Sequence, residues 1–350
     1  MTGLFTLPNV LAGIIVLSLN VYVLSGGADF GGGMWDLLAS GPRRDRQREL
    51  IAHAIGPIWE ANHVWLIFVV VLLFTCFPPA FATITTELHI PLALLLIGIV
   101  LRGSAFTFRT FASRDTAQKR WGLVFSISSF LAPALLGAAI GAIASGAVGR
   151  AAATASPAFA ERFIFSWANP FALGVGAMTL ALFAFLAAVY LTVEAEGEPE
   201  LQEDFRRRSL GSAAAVLVCA FGTLALAGEH APRMREVLVN SAAALPFQLA
   251  TGLAALVAIG ALIKRSYRIA RIAAVTQVSL ILWGWAAGQF PYLVPPALSL
   301  ADAAATPITL RLTLIAVVAG ALVLIPSLAY LLRIFKGRPS ISNARTTVGS

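Results

Sequence analysis

Residues 7–38 read LPNVLAGIIVLSLNVYVLSGGADFGGGMWDLL. The stretch opens as an uncharged apolar run of the length that crosses a bilayer as a helix, about 20 residues. It then places Asp29 between two groups of glycines. Gly31-x-Gly33 has a superficial likeness to a nucleotide-binding loop, but no β-strand precedes it and no phosphate-binding lysine follows, so that reading fails. Within a membrane, glycines let another helix come close or let the backbone open around a polar group. The stretch therefore reads as a membrane span with something packed tightly beside Asp29.

The rest of the chain repeats the first part of that pattern. Of 350 residues, 58% are hydrophobic and 12% charged, far below the roughly one-quarter charged content of soluble domains. Nine apolar runs of spanning length fall near 7–27, 55–77, 88–106, 121–144, 165–191, 209–227, 246–263, 270–290 and 309–332. Helices are expected, because the strands of a membrane barrel would show short alternating segments. The fold class is thus all-α: a polytopic membrane protein of about nine transmembrane helices. The first run lacks a basic segment before it and a cleavage site leading into a soluble domain, so it reads as a retained span. Lys and Arg crowd the loops after spans one, three, five and seven and the C-terminal tail, whereas the opposite loops hold Arg150, Arg162, Arg233 and Arg235. That bias puts the N-terminus outside and the C-terminus in the cytoplasm. The net charge of +8 then reports topology and attraction to anionic lipid, with no need for nucleic acid.

Residues 1–335 are expected to form one integral membrane domain and 336–350 a disordered cytoplasmic tail. The hydrophilic segment EAEGEPELQEDFRRR (194–208) reads as a solvated connector, and 146–160 as an external loop. Cys76 and Cys219 lie far apart in apolar runs and read as small core residues; no cysteine or histidine spacing suggests a metal site.

Ionisable residues at membrane depth gather in spans one to three: Asp29, Glu60, His63, Glu87, His89 and Arg102. Such groups are costly in hydrocarbon and usually face a bundle interior, a partner or water. In HAIGPIWEANHVWLI (53–67), Glu60 and His63 are three apart and share a helical face. Two readings stay open for them. One is proton handling, since burial favours the neutral carboxyl and histidine titrates near neutrality. The other is interfacial residues bonded to headgroups or loops, with Trp59 and Trp65 as interface aromatics. A di-iron site would need a second Glu-x-x-His, and none occurs.

GGADFGGGM, GPIWEANHVWLI, LRGSAFTFR (101–109) and WGWAAGQFPYLVPP (283–296) occur in that order. Together they closely resemble subunit II of the cytochrome bd quinol oxidases, including the cyanide-insensitive relatives, from about residue 8 to about 332. The resemblance implies a chain of the bacterial cytoplasmic (inner) membrane and the aerobic respiratory chain. It would pair with a homologous subunit I that carries two b-type haems and haem d, oxidises quinol and reduces dioxygen to water. Subunit II ordinarily ligates no haem or other metal and contributes polar residues to a proton path from the cytoplasm; in some members it holds a structural quinone.

Carried over by motif, Glu60 is the expected proton-path carboxylate, with Asp29 and His63 beside it. Trp59, Asn62, Trp65 and Arg102 are supporting residues. Gly26 and Ala28 stand where many relatives have an aspartate and an aromatic residue, Glu60 where aspartate is common, and His63 where Glu or Gln is frequent. Asp29 has two readings, a proton relay or a fixed ion pair with Arg102 joining spans one and three. The rival functions are a proton- or ion-coupled transporter, which would show inverted repeats with polar groups in both halves, and a purely structural assembly subunit.

Overall fold

The computed structural model describes residues 6–55, 59–112, 115–155, 157–241 and 244–336; within these, the side chains of 59–61, 110, 115, 325, 328, 329 and 331–336 are not described. The tail assigned to disorder, apart from residue 336, lies outside the described residues.

The described chain is helical but for one small hairpin. In order come α1 (Leu7–Leu37), α2 (Arg44–Ile55), α3 (Trp59–Cys76), α4 (Pro78–Glu87), α5 (His89–Phe111), α6 (Asp115–Ala144), α7 (Ala147–Ala153) and α8 (Phe159–Phe163). They are followed by α9 (Pro170–Glu194), α10 (Pro199–His230), α11 (Pro232–Asn240), α12 (Ala244–Ile263) and α13 (Tyr267–Gln289). The antiparallel strands β1 (Tyr292–Val294) and β2 (Leu298–Ser299) precede α14 (Pro307–Lys336). Among the described residues, eight helices are each long and apolar enough to cross a membrane. A ninth results if Asn62–Cys76 and Pro78–Glu87, bent by 120°, count as one span.

Three expectations need correction. The first span does not stop at the glycines: α1 runs 31 residues through the whole cluster, about 46 Å at 1.5 Å per residue. In hydrocarbon an opened backbone is costlier than helical glycine. The supposed connector 194–208 is mostly helix, because α10 begins at Pro199. Proline at the first helical position and Glu203 paired with Arg206 and Arg207 at helical spacing supply a helix start and surface support that a merely hydrophilic composition conceals. The segment 146–160 likewise contains α7 and the start of α8.

The core is organised around α9. From Leu182 to Val189 nearly every side chain is buried, with α1, α6, α10 and α13 packed about it. At its start the Asn169 side chain accepts a hydrogen bond from the Ala172 amide at 2.9 Å, which satisfies a first-turn donor. At the other extreme, α14 presents Ile308, Leu312, Ile315, Leu322 and Val323 outward. One end of the bundle carries α2, the C-termini of α1, α5 and α9, and most of the arginines; it is called the basic end below.

Candidate functional site

Each glycine of the α1 cluster lies against a neighbour that a Cβ would meet. At Gly31 it would strike the Phe183 carbonyl oxygen, and at Gly33 the Ser129 hydroxyl. At Gly27 it would lie 2.5 Å from Leu186 Cδ1, and at Gly32 2.6 Å from Ile55 Cδ1. The cluster is thus a close-approach surface on several sides of one helix: α9 meets Gly27 and Gly31, α6 meets Gly33 and α2 meets Gly32. Small residues let helix backbones approach in this way in membranes.

The tight packing encloses Asp29. Arg102 of α5 donates from Nη1 to Asp29 Oδ2 at 2.8 Å and from Nη2 to Oδ1 at 2.7 Å, and Nη2 also reaches the Asp29 main-chain oxygen at 2.9 Å. Its Nε donates to Ser129 Oγ at 3.0 Å, and that hydroxyl donates on to the Phe125 carbonyl at 2.7 Å. Phe30 and Phe125 lie against the guanidinium, with ring centroids 4.8 and 4.7 Å from Cζ. The side chains of Arg102 and Asp29 are 1% and 0% exposed. A buried charge pair is tolerable only with geometry this complete. Tyr22, seven residues before Asp29 on α1, is also fully buried.

A second pair repeats the first. Asp36 is seven residues after Asp29, and Arg109 is seven after Arg102. Seven residues are close to two turns, about 10.5 Å along a helix, so the two pairs form successive rungs between the same helices. Arg109 Nη1 donates to Asp36 Oδ2 at 2.9 Å. Arg48 of α2 donates from Nε to the Asp36 main-chain oxygen at 3.2 Å and approaches its carboxylate at 3.8 Å. This outer rung sits at the basic end, with Asp36 buried but Arg109 and Arg48 about 30% exposed. Sequence reasoning missed Asp36 and Arg109, although the shared step of seven was available as a signal.

Of the other expected site residues, Asn62 is fully buried and its Oδ1 accepts from Ser25 Oγ at 2.8 Å. Its Nδ2 has no partner among the described residues, and the Cβ position at Gly26 lies 3.2 Å away. His63 packs edge-on to Phe30, with ring centroids 6.2 Å apart, and its buried Nδ1 is likewise unpartnered. Trp65 is partly buried against the central core. Trp59 and Glu60 start α3, but their side chains fall outside the described residues, as does Pro57.

Glu87 and His89 belong to the other end. Glu87, 2% exposed, accepts from Arg162 at 2.6–3.1 Å, and hydrogen bonding to it pushes the Arg162 guanidinium above its ordinary range. His89 Nδ1 lies 2.8 Å from the Thr86 carbonyl oxygen and its ring is edge-on to Phe163. His63 and His89 are therefore at opposite ends, and among the described residues no three His, Cys, Asp or Glu side chains gather as a metal site.

A family model described as cytochrome bd terminal oxidase subunit II matches residues 7–335. The chain is 27% identical over 220 residues to the cytochrome bd-I ubiquinol oxidase subunit 2 of Escherichia coli (strain K12), which covers 62% of this chain and 54% of that protein. It is 32% identical over 124 residues to the cytochrome bd ubiquinol oxidase subunit 2 of Bacillus subtilis (strain 168), covering 35% of this chain and 36% of that one. The chain thus spans about half the length, or less, of these curated relatives. Among solved structures, a chain of the bd oxidase from Geobacillus thermodenitrificans superposes with a TM-score of 0.80 at 22% identity, over 96% of this chain and 100% of that chain. At that identity the likeness is one of fold. With the family match, the transporter alternative falls.

Proposed function

Because the chain belongs to the cytochrome bd terminal oxidase subunit II family, we propose that it serves as the subunit of a respiratory quinol oxidase that carries no redox centre of its own. Its partner is a haem-bearing subunit I in a bacterial inner membrane, with quinol and dioxygen as substrates of the complex. The observation that carries this reading is the family match across residues 7–335. The haems, two of b type and one of d type, supply electron transfer and oxygen reduction when bound in the partner.

The residues of this chain have two tasks in the proposal. Asp29 and Arg102 position α1, α5 and α6: both carboxylate oxygens and the Asp29 main-chain oxygen accept from one guanidinium, so the pair acts as a fixed joint more readily than as a shuttle. Proton handling then rests on Glu60 and His63 near the start of α3, at the basic end, which by its arginine bias faces the cytoplasm. His63 carries a buried ring nitrogen without a partner among the described residues, available to exchange a proton with water.

The test begins with purification of the tagged chain from its own membranes in mild detergent, followed by the dithionite-reduced spectrum. A co-purifying partner with b-type and red-shifted chlorin bands is expected; a colourless single chain would sink the oxidase reading. In the complex, Glu60→Gln should lower oxygen consumption with the haem bands intact. Unchanged turnover would leave a purely structural subunit.

A further inference from the structure

Beside the outer rung lies a partly open cavity of about 270 Å³, lined by α1, α2, α5 and α6. Five of its eight lining residues are apolar: Ile51, Ala52 and Ile55 of α2, Phe106 of α5 and Phe125 of α6. Asp36 and Arg109 form its charged part, and Gln118 of α6 adds a neutral polar side chain. The volume equals that of roughly nine water molecules at about 30 Å³ each; water could use Asp36, Arg109 and Gln118, but the five apolar lining residues offer it no partner. The cavity therefore suits an occupant that is apolar over most of its length and polar at one end, the usual make-up of a small-ligand pocket.

The sign of the polar end follows from the charges. Arg48 and Arg109 both approach the single carboxylate of Asp36, and two guanidinium groups have more N–H donors than one carboxylate can accept from. Both remain partly exposed, so among the described residues here two guanidinium groups face one carboxylate, with donors to spare and a surplus of positive charge. A planar guanidinium edge beside an apolar wall at the end of a membrane bundle matches a phosphate joined to a hydrocarbon chain.

We propose that the cavity between α1, α2, α5 and α6 holds one anionic phospholipid, its phosphate against Arg109 and Arg48 and part of one acyl chain against Ile51, Ile55, Phe106 and Phe125. The amphipathic α2 lies over this lipid at the interface, as such helices do. The occupant touches Phe125, whose ring also covers Arg102, so the lipid seals the approach to the buried rung. This inference stands apart from the oxidase reading, because it needs only a membrane with the basic end at one interface.

The experiment uses the chain with whatever partners co-purify, in nanodiscs of phosphatidylcholine doped with phosphatidylglycerol, released into mild detergent for native mass spectrometry. The wild type is expected to retain one phosphatidylglycerol that Ala52→Trp, which crowds the cavity, and Arg109→Gln, which removes a cation, both lose. Arg109→Lys, keeping the charge, should retain it more weakly. Equal retention by wild type and Ala52→Trp would overturn the proposal, as would retention of a neutral lipid or a quinone in place of the anionic lipid. Displacement by inorganic phosphate alone would overturn the acyl-chain part and leave a simple anion site. The haem spectrum of each preparation reports on the oxidase reading separately, so either idea can fail alone.

Discussion

The inner rung, Asp29–Arg102, and the outer rung, Asp36–Arg109, join the same two helices by the same residue types over the same sequence separation of 73. They differ in their access to water. The inner pair is essentially unexposed and fully hydrogen-bonded, with two aromatic rings over its cation; the outer pair opens to a cavity and shares its carboxylate with a second arginine. Where water is excluded, losing one partner leaves a stranded charge and costs about 3–5 kcal/mol. At the outer rung, where Asp36 is buried but its arginines are about 30% exposed, the same loss falls between that figure and the roughly 1 kcal/mol of a fully exposed pair. The two rungs should therefore behave as different interactions despite identical chemistry.

The largest expected effect is on the inner rung. Arg102→Leu or Asp29→Asn alone should abolish recovery of an intact haem-bearing complex, whereas Asp29→Leu with Arg102→Leu should recover much of it, since an apolar pair strands no charge. Single variants that purify like the wild type would refute the idea that burial makes this pair critical. Next comes the glycine surface. Gly31→Leu sets a side chain against the Phe183 carbonyl and Gly33→Ala a methyl against Ser129, with a loss of about 1–3 kcal/mol, read as a lower thermal midpoint in detergent. Asp36→Asn should lower that midpoint less than Asp29→Asn, and the difference should shrink as salt is raised, because the arginines left behind are partly exposed and are screened. A salt-independent drop as large as that of Asp29→Asn would erase the distinction between the rungs. Smallest is Ser25→Ala, which removes one side-chain hydrogen bond to Asn62, worth about 1 kcal/mol.

The comparison also marks what the sequence could convey. The nine-run pattern and the tight surroundings of Asp29 were legible because apolar length and clustered glycine each have one dominant meaning in a membrane. The outer rung was not, since Asp36 and Arg109 fall where a span is expected to end and charges there are ordinary. The central place of α9 was hidden for the opposite reason: PFALGVGAMTLALFAFLAAVYLTVE is apolar all round, and nothing in it separates a face toward lipid from a face toward protein. Hydrophilic composition conceals the start of α10, although Pro199 and the spacing of Glu203 from Arg206 and Arg207 mark it. The role of Glu60 rests on its motif alone, since its side chain lies outside the described residues.

The 73-residue separation within the inner rung has a consequence in time. Ribosomes add about 5–20 residues per second, so α1 leaves the ribosome roughly 4–15 s before Arg102 does. For that interval Asp29 has no arginine, and a bare carboxylate in hydrocarbon costs several kcal/mol. Until α5 arrives, Asp29 has three ways to avoid that cost: to be drawn toward the interface, to stay within the insertion machinery, or to take up a proton. The guanidinium thus does more than hold the finished helices together: its arrival lets Asp29 stay charged at its final depth.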